Sequence, residues 1–237
     1  MHASDIPYLL VPGILSVVIA YLLGSLNFSI ILTKLKHDDV RKYGSGNAGM
    51  TNMLRVYGKG PAIATFILDF LKCAVAIIVA RAIIRTTVDA NMLSNDYIAL
   101  SGYIAGYACM LGHMFPIYFG FRGGKGVVTS TALILFIDWR CFIVVIALFL
   151  AVFIWKKIIS LGSIIGAAAY PISTFVFTFL FDYYKSPLAT HGDKSTMYLV
   201  MVTVLSVLVG ATVIIKHHAN IKRLINGEEK PITAKKA

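Results

Sequence analysis

Negative charge is scarce in this chain. Only 11 of its 237 residues are Asp or Glu, against 22 Lys and Arg, and charged residues of both signs make up 14%. Ordinary soluble domains carry about a quarter charged residues. With 58% hydrophobic residues and a mean hydropathy of +0.78, there is too little polar surface here to cover a water-soluble globule. Most of the chain must be solvated by lipid. Cysteine is scarce as well. Cys73, Cys109 and Cys141 lie singly in apolar segments with no Cys-x-x-Cys pair and no neighbouring His, which excludes a disulfide framework and a cysteine metal site and leaves packing as their role. Residues 1–7 hold no Lys or Arg, so the basic start of a cleaved signal is missing and the first apolar run reads as a transmembrane helix. No repeat of about 20 to 50 residues is present, and only the polar tail Asn226 to Ala237 has linker composition. One domain over 1–237 is expected.

What is there is a series of apolar runs at about 8–33, 61–84, 97–119, 127–155, 158–181 and 196–215, most of them long enough to cross a hydrocarbon core of about 30 Å. The fourth is interrupted by Asp138-Trp139-Arg140. Adjacent opposite charges at mid-membrane depth are costly, so the run divides into two short helices, 127–137 and 141–155. The expected fold class is therefore an all-α integral membrane protein with seven transmembrane helices, two of them short, N-terminus outside and C-terminus cytoplasmic. In that orientation 16 of the 22 Lys and Arg residues fall in the inner segments, as the positive-inside rule requires. In a soluble protein the cation surplus would raise nucleic acid. In a membrane protein it marks the cytoplasmic side and suits membrane lipids with anionic headgroups or phosphorylated substrates, and nucleic acid is not an expected partner. Asp69 and Lys72, three apart inside the second long run, are expected to pair internally, a tie between helices being at least as good a reading as a catalytic role.

Three inner segments carry the chemistry. The first is Tyr43-Gly44-Ser45-Gly46-Asn47-Ala48-Gly49-Met50-Thr51-Asn52-Met53-Leu54-Arg55. Its glycines allow positive φ and let N–H groups converge on phosphate oxygens. Ser45, Thr51 and Asn52 add donors, Arg55 adds a bidentate fork, and Thr51 is placed to cap a short helix. A plain positive-inside turn would account for fewer of these residues. The second segment is Gly112-His113-Met114-Phe115-Pro116, leading to Gly120-Phe121-Arg122-Gly123-Gly124-Lys125-Gly126. A Walker A reading fails on spacing, because its leading Gly would fall at Phe119 and its Ser or Thr at Gly126. A basic turn at a helix N-terminus remains, with Lys125 as a point charge for an anion. His113 reads either as a hydrogen-bonded packing residue or as a base. The third segment is Lys216-His217-His218-Ala219-Asn220-Ile221-Lys222-Arg223, where His217 and Asn220 share a helix face. There is no HExxH, no GxSxG, no paired acidic cluster for a metal, and no His followed five residues later by Asp as in the common CoA-dependent glycerolipid acyltransferases. No metal and no cofactor is expected.

These three motifs, in this order and with Gly24-Ser25-Leu26 in the first helix, closely resemble the bacterial membrane glycerol-3-phosphate acyltransferases that use acyl phosphate, the PlsY family. The resemblance runs through most of the chain, with Met50 standing where the family usually has Ala and Arg122 where it usually has Lys. It implies transfer of a fatty acyl group from acyl phosphate to the sn-1 hydroxyl of glycerol 3-phosphate, giving lysophosphatidic acid and phosphate, the first committed step of phospholipid synthesis in the bacterial cytoplasmic membrane. It implies an acyl-phosphate-producing enzyme upstream and an active site toward the cytoplasm. By motif position it assigns Ser45, Arg55, Lys125, His217 and Asn220 to catalysis. Substrate phosphate falls to Gly46, Asn47, Gly49, Thr51, Asn52, His113, Arg122, Gly123, Gly124 and Gly126. The chemistry suits such a site: an acyl phosphate is already activated, so aligning the acceptor hydroxyl and neutralising phosphate charge suffice. Either His217 or the donor phosphate accepts the proton. The competing readings are a transporter of organic phosphates, which would carry more polar, broken helices at the midplane, and a simple binder of anionic lipid.

Overall fold

In a computed structural model the chain is described over residues 6–88, 94–186, 192–229 and 231. Among the described residues ten α-helices follow one another: α1 (Ile6–Ser25), α2 (Phe28–Lys34), α3 (Met50–Tyr57), α4 (Lys59–Thr87), α5 (Asn95–Met114), α6 (Val127–Ile137), α7 (Trp139–Lys156), α8 (Ile159–Phe177), α9 (Thr196–Lys216) and α10 (His218–Ile225). Among the described residues five helices are long and apolar enough to cross a membrane, and the bent pair α1 and α2 makes a sixth. The 11-residue α6 is the only route to a seventh among them, and at 1.5 Å per residue it spans about 17 Å.

The first apolar run, expected as one helix over 8–33, is broken. Residues Leu10–Ser25 and Phe28–Lys34 meet at 43° because the buried Asn27 side chain accepts from the Ile30 N–H and starts a new helix. That break frees the Leu26 carbonyl, and Lys72 of α4 donates to it at 2.8 Å. The split in the fourth run falls where the charges predicted, but α7 is not short. Asp138 accepts from the Arg140 N–H, so the helix begins at Trp139 and runs 18 residues until Lys157 turns left-handed. Arg140 folds back onto Asp138 at 2.8 Å and onto Asp182 at 2.6 Å. The polar stretch Asp182 to Thr196 is thereby anchored at both ends, since Lys194 and Ser195 also bind Asp96, while 187–191 lie outside the described residues.

Inside a bilayer, hydrophobic burial gives helices little reason to associate, and close approach at small residues with polar ties replaces it. A Cβ at Gly24 would collide with the Cys109 carbonyl, one at Gly112 with the Tyr21 carbonyl, and one at Gly210 with the Ala167 carbonyl. These three contacts press α1 onto α5 and α9 onto α8. All three cysteines are buried in this packing. Large apolar residues such as Ile143, Ile154, Ile172 and Val200 remain exposed on the outer faces, where lipid covers them.

Candidate active site

The three motif segments meet at one end of the bundle. The segment between α2 and α3 turns at Gly44 and Gly46, both with positive φ, and Asn52 closes it: its amide donates to the Val40 and Tyr43 carbonyls and its oxygen accepts from the Ser45 N–H at 2.9 Å. Both amide hydrogens and one acceptor position of Asn52 thus go into shaping the loop, and the residue also lines the cavity. Helix α3 is capped by Gly49 without a side-chain bond. Thr51, expected as the cap, already lies within the helix and lines the cavity below. Arg55 follows one turn later, exposed, and its guanidinium makes no hydrogen bond or ion pair among the described residues.

The α5–α6 connection packs beside this loop. Gly123 and Gly124 donate their N–H groups to the Met114 and His113 carbonyls, and a Cβ on Gly124 would strike the His113 imidazole and the Ala48 carbonyl at 2.6 Å. These glycines let the two loops touch. Neither lines the cavity, and nor do Gly46 or the exposed Arg122. Arg122 instead offers its carbonyl to Arg41, which also donates to the Phe119 carbonyl at 2.9 Å and pairs with Asp39 at 2.7 Å. Hydrogen bonding from Arg41 holds the Asp39 carboxyl below its usual range. Arg41 counted in the sequence only as a positive-inside residue, yet it ties the two loops together.

His113 sits at the end of α5, buried, its Nδ1 accepting from Lys72 at 3.1 Å and lying 3.5 Å from Asp69. Lys72 in turn pairs with Asp69 at 2.7 Å. The internal pairing expected of Asp69 and Lys72 is therefore present, widened to a triad that links α4, α5 and the α1–α2 break.

From the third segment, His217 occupies the junction of α9 and α10. Its Nδ1–H donates to the Val213 carbonyl at 2.8 Å, leaving Nε2 as an open acceptor. Burial, followed by the Lys125 charge, lowers its pKa to about 4, against a favourable contribution from the Val213 bond, so the ring is neutral at physiological pH. Asn220 is spent at both ends: its oxygen accepts from the Lys125 ammonium and its amide donates to Glu229 at 2.6 Å. Burial lowers Lys125 to about 8, partly offset by the Glu229 charge. Glu229 also accepts from Ser160 and Arg223, both at 2.6 Å, and these bonds outweigh its own burial and hold the carboxylate below its usual range. Glu229 and Ser160 were not singled out from the sequence. Glu229 lies in what reads as a plain polar tail, and the positive-φ turn at Gly227 brings it back under the site.

Below these groups opens a cavity of about 730 Å³. Ser45, Asn47, Gly49, Thr51, Arg55, His113, Lys125, Gly126, His217 and Asn220 line its polar end, and Ile134, Phe142, Val145, Phe149, Val209 and Tyr170 line the apolar remainder between α6, α7, α8 and α9. This is within the range of about 300 to 1,000 Å³ usual for ligand sites, and its two ends match an anion joined to a long alkyl chain. Among the described residues no group of three or more His, Cys, Asp or Glu is arranged to hold a metal.

Comparison with known proteins decides what kind of molecule this is. The family described as glycerol-3-phosphate acyltransferase matches over residues 14–227. The chain belongs to that family. A glycerol-3-phosphate acyltransferase from Aquifex aeolicus is 35% identical over 213 residues, covering 90% of this chain and 95% of the relative. One from Shouchella clausii is 39% identical over 233 residues, covering 97% and 100%. The fold is also similar to crystal structures of PlsY (YgiH), an integral membrane glycerol 3-phosphate acyltransferase, at 33% identity. For the glycerol 3-phosphate form the TM-score is 0.72 with 93% of this chain and 96% of that one covered. For the lysophosphatidic acid form it is 0.70, with 93% and 95% covered. The chain is thus a multi-pass membrane acyltransferase of the PlsY family, an enzyme of phospholipid biosynthesis that acts on glycerol 3-phosphate.

Proposed function

We propose that this acyltransferase moves a fatty acyl group from acyl phosphate to the sn-1 hydroxyl of glycerol 3-phosphate, releasing lysophosphatidic acid and phosphate. The observation that carries the reading is a cavity that joins a cationic, hydrogen-bonding mouth to a long apolar body. In this reading Arg55 and Lys125 hold the two phosphates, since among the described residues neither is paired with a carboxylate, and the cavity-lining backbone of Asn47, Met50 and Thr51 at the α3 N-terminus supplies N–H donors. Gly123, Gly124 and Gly126 hold Lys125 at the mouth. Ser45, whose hydroxyl has no partner among the described residues, orients the acceptor. Asn220 acts through Lys125, fixing its ammonium. The acceptor hydroxyl oxygen attacks the acyl carbonyl carbon, the bond from that carbon to the phosphate oxygen breaks, and the phosphate leaves with the electron pair. As that bond breaks, the leaving phosphate keeps the electron pair and becomes a far stronger base than the His217 imidazole, whose pKa burial lowers to about 4. The departing phosphate therefore takes the proton, and His217 Nε2 accepts a hydrogen bond that aligns the hydroxyl. No side-chain nucleophile is involved.

The same reading puts α1 with α2, α4, α5, α6, α7, α8 and α9 across the bacterial cytoplasmic membrane as seven crossings, with the N-terminus outside and the site and C-terminus cytoplasmic. It also requires an upstream enzyme that makes acyl phosphate. Purified protein would be given labelled glycerol 3-phosphate with acyl phosphate, acyl-CoA and acyl carrier protein thioester in turn. Lysophosphatidic acid is expected from acyl phosphate. Product from a thioester and none from acyl phosphate would refute the donor assignment.

A further inference from the structure

Two cavities in this bundle share one wall. Along α8 the large cavity is lined at Ser160, Ser163, Gly166, Ala167 and Tyr170, one face of the helix followed for almost three turns. Beyond Tyr170 lies a second, much smaller cavity of about 40 Å³, lined by Tyr170 again and by Asp138, Arg140, Asp182 and Tyr198. The first is apolar at this end and the second holds an ion network, Arg140 with Asp138 and Asp182. Tyr170 is buried, and its hydroxyl is 2.5 Å from that of Tyr103 on α5, so the ring is fixed from a second helix.

We infer that Tyr170 is the chain-length stop of the acyl cavity. The inference rests on the proposed reading that this cavity takes the acyl chain of the donor. Ten residues of α8 separate Ser160 at the mouth from Tyr170, a rise of about 15 Å, which an extended chain fills with on the order of twelve carbons at about 1.3 Å each. A longer chain must displace a ring held by Tyr103 or enter the space of the Arg140 network, where alkyl carbon would strip charged groups of their partners. Shorter chains leave apolar wall uncovered, at about fourfold in binding per missing methylene.

The test is the chain-length profile of kcat/KM in purified protein, using saturated acyl phosphates from C6 to C20 with saturating glycerol 3-phosphate. Tyr170→Ala is expected to move the maximum up by about four carbons, the depth of the lost ring, while Tyr170→Phe keeps the wild-type maximum. Ala167→Leu, which fills the cavity one turn nearer the mouth, is expected to move the maximum down by a similar step. A Tyr170→Ala enzyme with an unchanged profile overturns the proposal. If that variant transfers nothing at any length, an unchanged maximum in Ala167→Leu overturns it instead. A wild-type enzyme that uses only thioester donors refutes the donor reading separately, and the same profiles measured on thioesters then decide the stop.

Discussion

Lys125 offers the sharpest test of how the mouth works. Burial lowers its pKa to about 8, and only the ammonium attracts phosphate. In the free enzyme about nine-tenths of Lys125 is charged at pH 7 and about one-tenth at pH 9. If the charged form alone binds substrate, kcat/KM for glycerol 3-phosphate falls tenfold per pH unit above about 8, or roughly thirtyfold between pH 7 and pH 9.5. Bound phosphate stabilises the ammonium, so the alkaline limb of kcat lies at higher pH than that of kcat/KM. Lys125→Arg removes this limb from kcat/KM, because a guanidinium stays protonated far above pH 9, although its planar fork lowers the plateau. The Glu229 charge raises the Lys125 pKa, so Glu229→Gln moves the wild-type limb to lower pH. The assay is initial-rate transfer from a fixed acyl phosphate across pH 6 to 10. A wild-type profile flat to pH 9.5, or a Lys125→Arg enzyme that keeps the limb, would refute the reasoning.

Three further outcomes follow from the same contacts. Arg55→Ala is expected to lower kcat/KM for glycerol 3-phosphate by about 10- to 150-fold, the loss of one charge-assisted bond of about 1.5–3 kcal/mol, with thermal unfolding in detergent unchanged because the exposed side chain makes no hydrogen bond or ion pair among the described residues. Asn52→Ala removes three bonds that shape the first loop and is expected to cost about 2–4 kcal/mol in stability together with most activity, seen as a lower unfolding temperature. Lys72→Met leaves Asp69 buried without its cation and is expected to destabilise by about 3–5 kcal/mol. Adding Asp69→Asn recovers part of that loss in a double-mutant cycle, and purely additive effects would contradict the pairing.

Much of this was legible in the sequence because lipid and charge each act locally. Long apolar runs and the Asp138-Trp139-Arg140 interruption marked α4 to α9 closely, since a bilayer leaves no other conformation for such runs. The α1–α2 break was not legible. Asn27 is one of several small polar residues in the run, beside Ser16, Ser25, Ser29 and Thr33, and the groups that fix the break come from distant segments: the Ala48 carbonyl, which accepts from Asn27, and Lys72, which donates to the Leu26 carbonyl. The glycine loops were visible as a group, but their division of labour was not. Gly44 and Gly46 have positive φ, Gly124 makes room for His113, and only the fold separates these uses. Glu229 was missed because a carboxylate in a short terminal tail looks the same whether it is solvated or folded back. Its one sequence signal is scarcity: with 11 acidic residues in 237, each has a high chance of holding a cation.

The helix breaks explain why the reactive groups stand where they do. Breaking a helix beside lipid leaves backbone groups that water cannot satisfy, so side chains must do it. At the α1–α2 break Asn27 and Lys72 take that role and are consumed by it. At the α6–α7 break Asp138 caps the new helix, and its remaining capacity goes to Arg140. At the α9–α10 break the satisfying group is an imidazole. Nδ1–H serves the Val213 carbonyl, and the ring has a second nitrogen, so Nε2 remains free where His217 lines the cavity. Asn in the same place would satisfy the carbonyl through its amide nitrogen but present its oxygen at a different distance and angle. His217→Asn therefore separates the two duties, keeping the break capped while withdrawing the acceptor from the position a reacting hydroxyl needs.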